Sequence, residues 1–445
     1  MMNAQQKEFL DGAKKALEQR LGRMNWDEFA QKAGIEPRTM KSYRADPDSK
    51  HNYREMPSLV RQAIESLLQK PQREVNDASA LVGALAGLVI RQAKTALVDR
   101  QIITGLSQYP GSRTGLSEED RKAMALVSRA ALQSGLADVG GEIHELLSAC
   151  REPFSEWLQV PHLLQAGFGA TVLIDPDHGI PTPEAQELAE AFGSIAAHLE
   201  ERIFAAYKDA LARFPQESAA EYYTLIREFV VRNPVASAAQ LFEIGKKLPP
   251  VLWLPVQREF YEPFPASVMD TELVLCAHCN SLLKPHKNGA RIKVCSSRAC
   301  RNERPTQEGA RLPALQASRV RAEIHQFWVE PGIHEVWLHD DLKTQGFDVS
   351  LYPHQDRVDV GISDDRIGID LKAYASAETL GLKLKKSIGG LAFYEKKLLV
   401  IPDWIVRSQA SYLERLRSAM GENSRRLTCC MVSEVASISR ETLHA

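Results

Sequence analysis

The chain has 445 residues, room for about three ordinary domains, and its 44% hydrophobic and 25% charged content is that of a folded protein. A net charge of −2 excludes a whole-chain basic excess, so any surface that attracts a polyanion has to be local. The most apolar run, 80–90, is too short to span a bilayer, and the charged amphipathic N-terminus reads as a helix rather than a secretory leader.

Punctuation by Pro, Gly and polar stretches divides the chain into 1–72, 73–268, 269–310 and 318–445. In the first zone Asn25 can cap a helix over 26–33 that Gly34 ends, and Pro37 starts a short basic helix over 38–44. Helix, Gly-containing turn and short basic helix resemble the small repressor-like class of helix-turn-helix. That resemblance implies that Arg38, Thr39, Lys41, Ser42 and Arg44 face the DNA major groove. A protein-docking helical module is the alternative.

The second zone reads as helical, with 3.6-residue periodicity over 184–212 and 218–232. The stretch 175–183 (DPDHGIPTP) reads as a plain loop before a helix. Next, Cys276, Cys279, Cys295 and Cys300 form C-x2-C-x15-C-x4-C. Four thiolates at this spacing predict a zinc ribbon, and a closed shell makes the ion structural. Metal-bound thiols fit a reducing cytoplasm better than a disulfide scaffold does. Lys284, Lys287, Arg291, Lys293, Arg298, Arg301 and Arg304 crowd this segment, either as a nucleic-acid surface or as a solvated charged face. Cys150, Cys429 and Cys430 read as buried core thiols.

The last zone alternates helix and strand. Helices are expected at 318–329 and 334–343, separated by Pro331-Gly332, and at 376–388 and 408–420. Strands are expected at 347–352, 357–362, 367–372, 397–401 and 427–432. In 357–362 (RVDVGI) and 367–372 (IGIDLK) the apolar residues take one face; Arg357, Asp359, Gly361, Gly368, Asp370 and Lys372 take the other. Pairing across the turn at Asp364-Asp365 sets Gly361 against Gly368, Asp359 against Asp370 and Arg357 against Lys372. Opposed carboxylates about 5 Å apart repel unless a cation lies between them, and a hard divalent ion with oxygen ligands answers that need. The paired glycines would leave the surface beside them open to a substrate backbone. Lys372 could orient water or offset charge on a phosphate.

Asp359 followed by Asp370-Leu371-Lys372 resembles the signature of the PD-(D/E)XK nuclease superfamily, which includes many restriction endonucleases. The expected order of helix, three strands, helix and strand matches that family's core. The resemblance implies an α+β multidomain chain with a helical N-terminal two-thirds, a zinc ribbon and an α/β restriction-endonuclease-like core. It implies a Mg²⁺-dependent DNA endonuclease, with Glu335 as the helix carboxylate beside Asp359, Asp370 and Lys372, and with Arg357 near the nucleic acid. No Pro precedes Asp359, a departure from the family name. The tract 356–372, with 399–403 (LVIPD), is also similar to the nuclease component encoded beside a bacterial Piwi-like protein and a helicase, which implies those partners and a role in defence. The rival reading is a DNA-binding regulator or adaptor with an inactive nuclease fold, and a nuclease acting on RNA is a third.

Overall fold

The computed structural model describes residues 2–21, 25–33, 35–45, 53–58, 60–61, 64, 71–102, 116–192, 204, 207–269, 271–286 and 289–444. Gly34, Lys287 and 193–203 of the expected second-zone helix lie outside them. Contacts divide the chain into two units, Met1–Ser79 and Ala80–Ala445.

The first unit contains α1 (Met2–Leu21), α2 (Trp26–Lys32) and α3 (Pro37–Tyr43). The Asn25 side chain accepts from Glu28 N, and the Glu28 carboxylate accepts from Asn25 N, so the cap closes in both directions. Pro37 occupies the first turn of α3, where a missing N–H costs nothing. Leu10, Phe29, Met40, Tyr43 and Ile64 form the core of this unit.

The second unit is larger. Most of the apolar run 80–90, from Leu81 to Ile90, is buried within α4 (Pro71–Ile102), packed with α5 (Glu118–Gln133) and α6 (Pro183–Phe192). Before α6, the loop at 175–183 is closed by the buried Asp175 carboxylate, which accepts from Asp177 N and His178 N. After α7 (Gln216–Arg232), short strands β1 (Val235–Ser237) and β2 (Tyr261–Pro263) interrupt the expected all-helical zone. The cysteine segment has β3 (Glu272–Cys276), β4 (Leu283–His286), β5 (Gly289–Cys295), α8 (Arg298–Glu303) and β6 (Glu308–Pro313), paired β3–β6 and β4–β5.

The expected helix at 318–329 is not present as such. Residues Ala317–Val320 form β7, which pairs with both β1 and β2, and long-range ladder bonds override local propensity there. A helical run then extends from Ala322 through a π-helical turn, His325–Val329, into α9 (Glu330–Thr344). Pro331-Gly332 does not break it. Pro331 falls in the first turn of α9, and the Glu330 N–H bonds back to the His325 carbonyl, so no donor is missed.

Beyond α9 the expected order appears: β8 (Val349–Leu351), β9 (Val360–Ile362), β10 (Ile367–Leu371), α10 (Ala377–Lys386), β11 (Lys396–Ile401), α11 (Tyr412–Met420), β12 (Thr428–Met431) and α12 (Val435–His444). They build one mixed sheet in the order β12–β11–β10–β9–β8. The first three strands form an antiparallel meander; β11 and β12 join parallel through α10 and α11. Leu399 and Ile401 pack toward Leu380 and Leu416 on one face. Leu398 and Val400 pack toward Ile333 and Leu342 on the other, so both faces of the sheet are covered.

Candidate active site

The β9–β10 ladder has the expected register, with Ile362 against Ile367, Gly361 against Gly368 and Val360 against Ile369. It stops there. The Asp359 N–H donates to the carbonyl of that same Ile369, so Asp359 and Val360 share one partner, as in a β-bulge. The expected Asp359–Asp370 pair does not form as a ladder pair. One extra residue shifts the alternation, and Val358 packs with Leu391 and Tyr394 on the face opposite to Val360. Arg357 accordingly does not stand against Lys372. It follows a turn outside the strand, and its guanidinium lies over the Phe393 ring at 4.5 Å. The surface beside the paired glycines is closed as well. A Cβ on Gly368 would lie 2.5 Å from the Tyr394 ring, and one on Gly361 would lie 2.8 Å from Ser350 Oγ.

The expected site side chains still converge. Asp359 is buried, and its Oδ2 accepts from Leu371 N at 2.5 Å. Lys372 N donates to the Val400 carbonyl, which carries the parallel ladder one residue past β10 and fixes the lysine at the end of the strand. Its Nζ lies 2.5 Å from Asp370 Oδ1 and 4.0 Å from Asp359 Oδ2. The lysine thus takes the place between the aspartates that charge repulsion demands for a cation. Burial pushes the Asp359 carboxyl well above the usual carboxylate range, and Glu335 and Asp370 add to the rise against Lys372. For Lys372 burial works against the charge, yet Asp370 and Asp359 outweigh it and hold the ammonium well above its ordinary value.

Glu335 projects from α9, buried, toward the same cleft, and burial raises its carboxyl against the pull of Arg227. Arg227 on α7 is the main residue that sequence reasoning missed. Its Nη2 lies 3.1 and 3.4 Å from the two Glu335 oxygens, while Nη1 donates to Asp356 and to Tyr223 Oη. Asp356 closes a turn in which Tyr352, His354, Gln355 and Asp356 all have φ between 50° and 69°. Arg227, Glu335, Asp356, Asp359 and Lys372 line a cleft of about 220 Å³, to which Arg298 also contributes. The one sequence signal for Arg227 is its place on the apolar stripe of α7, beside Tyr223, Ile226, Val230 and Val231. A cation there needs an acidic partner.

The four predicted cysteines come together. All are buried, and their sulfur atoms lie within 4.8 Å of one another, the closest pairs being Cys276–Cys300 at 3.7 Å and Cys279–Cys295 at 3.4 Å. Thiolates 2.3 Å from a tetrahedral ion would be about 3.8 Å apart, so the cluster fits a metal such as zinc. Asn280, at φ 58°, turns the first knuckle, and Ser297 caps α8 to place Cys300. Among the described residues no other His, Cys, Asp or Glu group brings three ligand atoms so close. Several basic residues of the segment are already engaged: Lys293 with Glu308, Arg301 with Asp177, and Arg304 over the Trp337 ring. Cys150, Cys429 and Cys430 are buried thiols. In the N-terminal unit, Arg38 and Lys41 are exposed on α3, Thr39 and Ser42 are half-buried, and the Arg44 guanidinium lies 3.5 Å over the Trp26 ring.

A mixed five-stranded sheet thus carries acidic residues and a lysine at the end of the β9–β10 hairpin. In the comparison with protein families, residues 332–444 match the family described as REase associating with pPIWI_RE, and residues 90–237 match the pPIWI_RE three-gene island domain Y. No curated protein and no solved structure matches the chain. Among the described residues no helix is long and apolar enough to cross a membrane.

Proposed function

We propose that the protein is a metal-dependent endonuclease that hydrolyses DNA phosphodiester bonds and acts with a pPIWI_RE protein, and the helicase of the same system, in cytoplasmic defence against foreign DNA. The observation that carries this reading is that Asp359, Lys372 and Glu335 line one cleft, with Asp370 bonded to Lys372, inside the stretch that matches a restriction-endonuclease family. The donor set suits Mg²⁺: carboxylate oxygens are hard ligands, Asp359 and Glu335 are buried, and Asp370 is half-buried. Asp359 and Asp370 would hold the ion, with Glu335 beside them, and when bound it would polarise the phosphate and acidify a water.

The chain's own groups do the rest. Lys372 must leave its bond to Asp370 when those oxygens are taken up. Its ammonium then stands within reach of both aspartates and can orient the attacking water or offset charge that develops on the phosphate. The Leu371 N–H donates to Asp359 Oδ2 and orients that carboxylate. The zinc ribbon, 269–310, is read as structural, 73–268 as a helical middle domain, 318–445 as the nuclease domain, and 1–72 as a DNA-binding helix-turn-helix. The Asp370–Lys372 pairing also suits the rival reading, an adaptor that retains a charge-neutral, inactive site.

The test is a cleavage assay on purified full-length protein with DNA and, in parallel, RNA, with and without Mg²⁺. Asp370→Asn should abolish metal binding and cutting. Lys372→Ala should keep the metal and lose about a hundredfold or more in rate. Wild-type cutting by both variants would remove this hairpin as the active site. Tight DNA binding with no cutting by the wild type would favour the adaptor.

A further inference from the structure

The ion pair between α7 and α9 joins Glu335 to Arg227, a residue outside the motif that defines the proposed nuclease. Arg227 and Glu335 are 108 residues apart in sequence, and each falls in a stretch matched by a different family. The contact is built in two rungs. Gly332 lies one turn before Glu335 on α9, and Val231 one turn after Arg227 on α7. A Cβ on Gly332 would stand 2.4 Å from Val231 Cγ2, so glycine there lets the helices approach closely. The second rung is the guanidinium itself, which is buried and forks between Glu335 and Asp356. Tyr223 Oη donates to Asp356 as well, at 3.1 Å. Asp356 is the last of the left-handed residues that lead the chain into Asp359. Such a turn is kept by non-glycine residues only where surrounding contacts over-determine it.

The fork fixes two acidic groups at once. Glu335 and Asp356 line the cleft beside Asp359, and the Arg227 guanidinium bonds to both of them, while Arg298, Lys372 and Lys383 line the same cleft. Without Arg227 neither Glu335 nor the turn before Asp359 would keep that anchor.

We propose that Arg227 is a positioning residue for the nuclease site, supplied by α7, that orients Glu335 and the Asp356 turn for the metal and so makes the site a joint product of 90–237 and 332–444. The proposal rests on the nuclease reading of Asp359, Asp370 and Lys372. The lysine variant tests it, because Lys keeps the charge and cannot fork to two carboxylates.

In the full-length protein, Arg227→Lys should fold, as judged by circular dichroism and melting. Its kcat should fall on the order of tenfold to a hundredfold with little change in the KM for DNA. Titration with Mg²⁺ alone should show several-fold weaker binding, which a role limited to holding the fold together would not produce. Asp356→Asn should move both readouts the same way, since Asn tolerates the left-handed backbone and removes one anchor. An Arg227→Lys protein with wild-type kcat and wild-type Mg²⁺ binding overturns the proposal. If that variant fails to fold, unchanged values for Asp356→Asn overturn it instead. Asp370→Asn separates the two ideas. If it is inactive while the Arg227 and Asp356 variants are normal, only the positioning role is lost. If it cuts normally, the nuclease reading fails and the role of Arg227 goes with it. If the wild type cuts nothing, the Mg²⁺ titration alone decides, and equal binding by wild type and Arg227→Lys overturns the proposal.

Discussion

At the scale of single residues, Asp359 carries the sharpest conflict in the molecule: a buried carboxylate beside other carboxylates, with its pKa raised first by burial and then by Glu335. An acid whose pKa rises on folding binds its proton more tightly in the folded state. Stability therefore falls as pH climbs from the unfolded value, about 4, toward the raised folded one. Metal-free protein should lose melting temperature across that window, and Mg²⁺ should restore it on the alkaline side. Asp359→Asn should flatten the slope and melt higher than wild type in chelator near neutral pH, while binding no Mg²⁺. Melting curves with and without Mg²⁺ check this, and a wild-type slope in the variant would mean that another group dominates. The proximity of Asp359, Asp370 and Lys372 was legible in the sequence because strand alternation and short spacing are local facts, whereas Glu335 came only from the family resemblance. Arg227 was not, because its two acidic partners lie 108 and 129 residues away and only packing brings them near. The bulge at Asp359 was equally hidden. Nothing in RVDVGI announces that Asp359 and Val360 share one partner, and that sharing turns Val358 over and takes Arg357 away from Lys372.

At the scale of elements, the cysteine cluster is tied to the helix that carries Glu335. The Glu330 carboxylate, on the first residue of α9, accepts from Ser297 Oγ, Arg298 N and Ala299 N at the start of α8. Trp337 Nε1 donates to the His278 carbonyl in the first knuckle. Loss of the metal should therefore loosen α9 even though no cysteine lines the cleft. Protein purified without added metal should contain about one zinc per chain. Removing it with chelator, or replacing Cys300 with Ser, should lower the melting temperature and the cleavage rate together, and Mg²⁺ alone should not rescue either. No zinc, with four freely reactive thiols, would sink the assignment. The cysteines were readable because metal ligation demands short, characteristic spacings. The strand at Ala317–Val320 was not, since its pairing partners, β1 and β2, lie far back in the chain in a zone whose periodicity is helical. Pro331-Gly332 misled for a related reason: a proline in the first turn of a helix looks, in sequence, the same as one that ends it.

At the scale of the whole molecule, chemistry and affinity are expected to separate. Deleting 1–72 should weaken DNA binding and flatten its salt dependence, because Lys and Arg contacts to phosphate go with it, while Mg²⁺-dependent cutting at saturating DNA survives. Unchanged affinity at every salt concentration would assign those helices to protein docking. The close approach of Gly332 to Val231 has a consequence for inheritance. Gly332 is the first residue of the stretch matched by the endonuclease family, and Val231 lies near the end of the stretch matched by domain Y. A recombination event that joined this endonuclease segment to a foreign neighbour would have to find, by chance, both a side chain short enough to sit over that glycine and an arginine one turn away. The two segments are therefore expected to pass from genome to genome as one piece, and a natural chimera with a different partner in front of Gly332 should have rebuilt that seam.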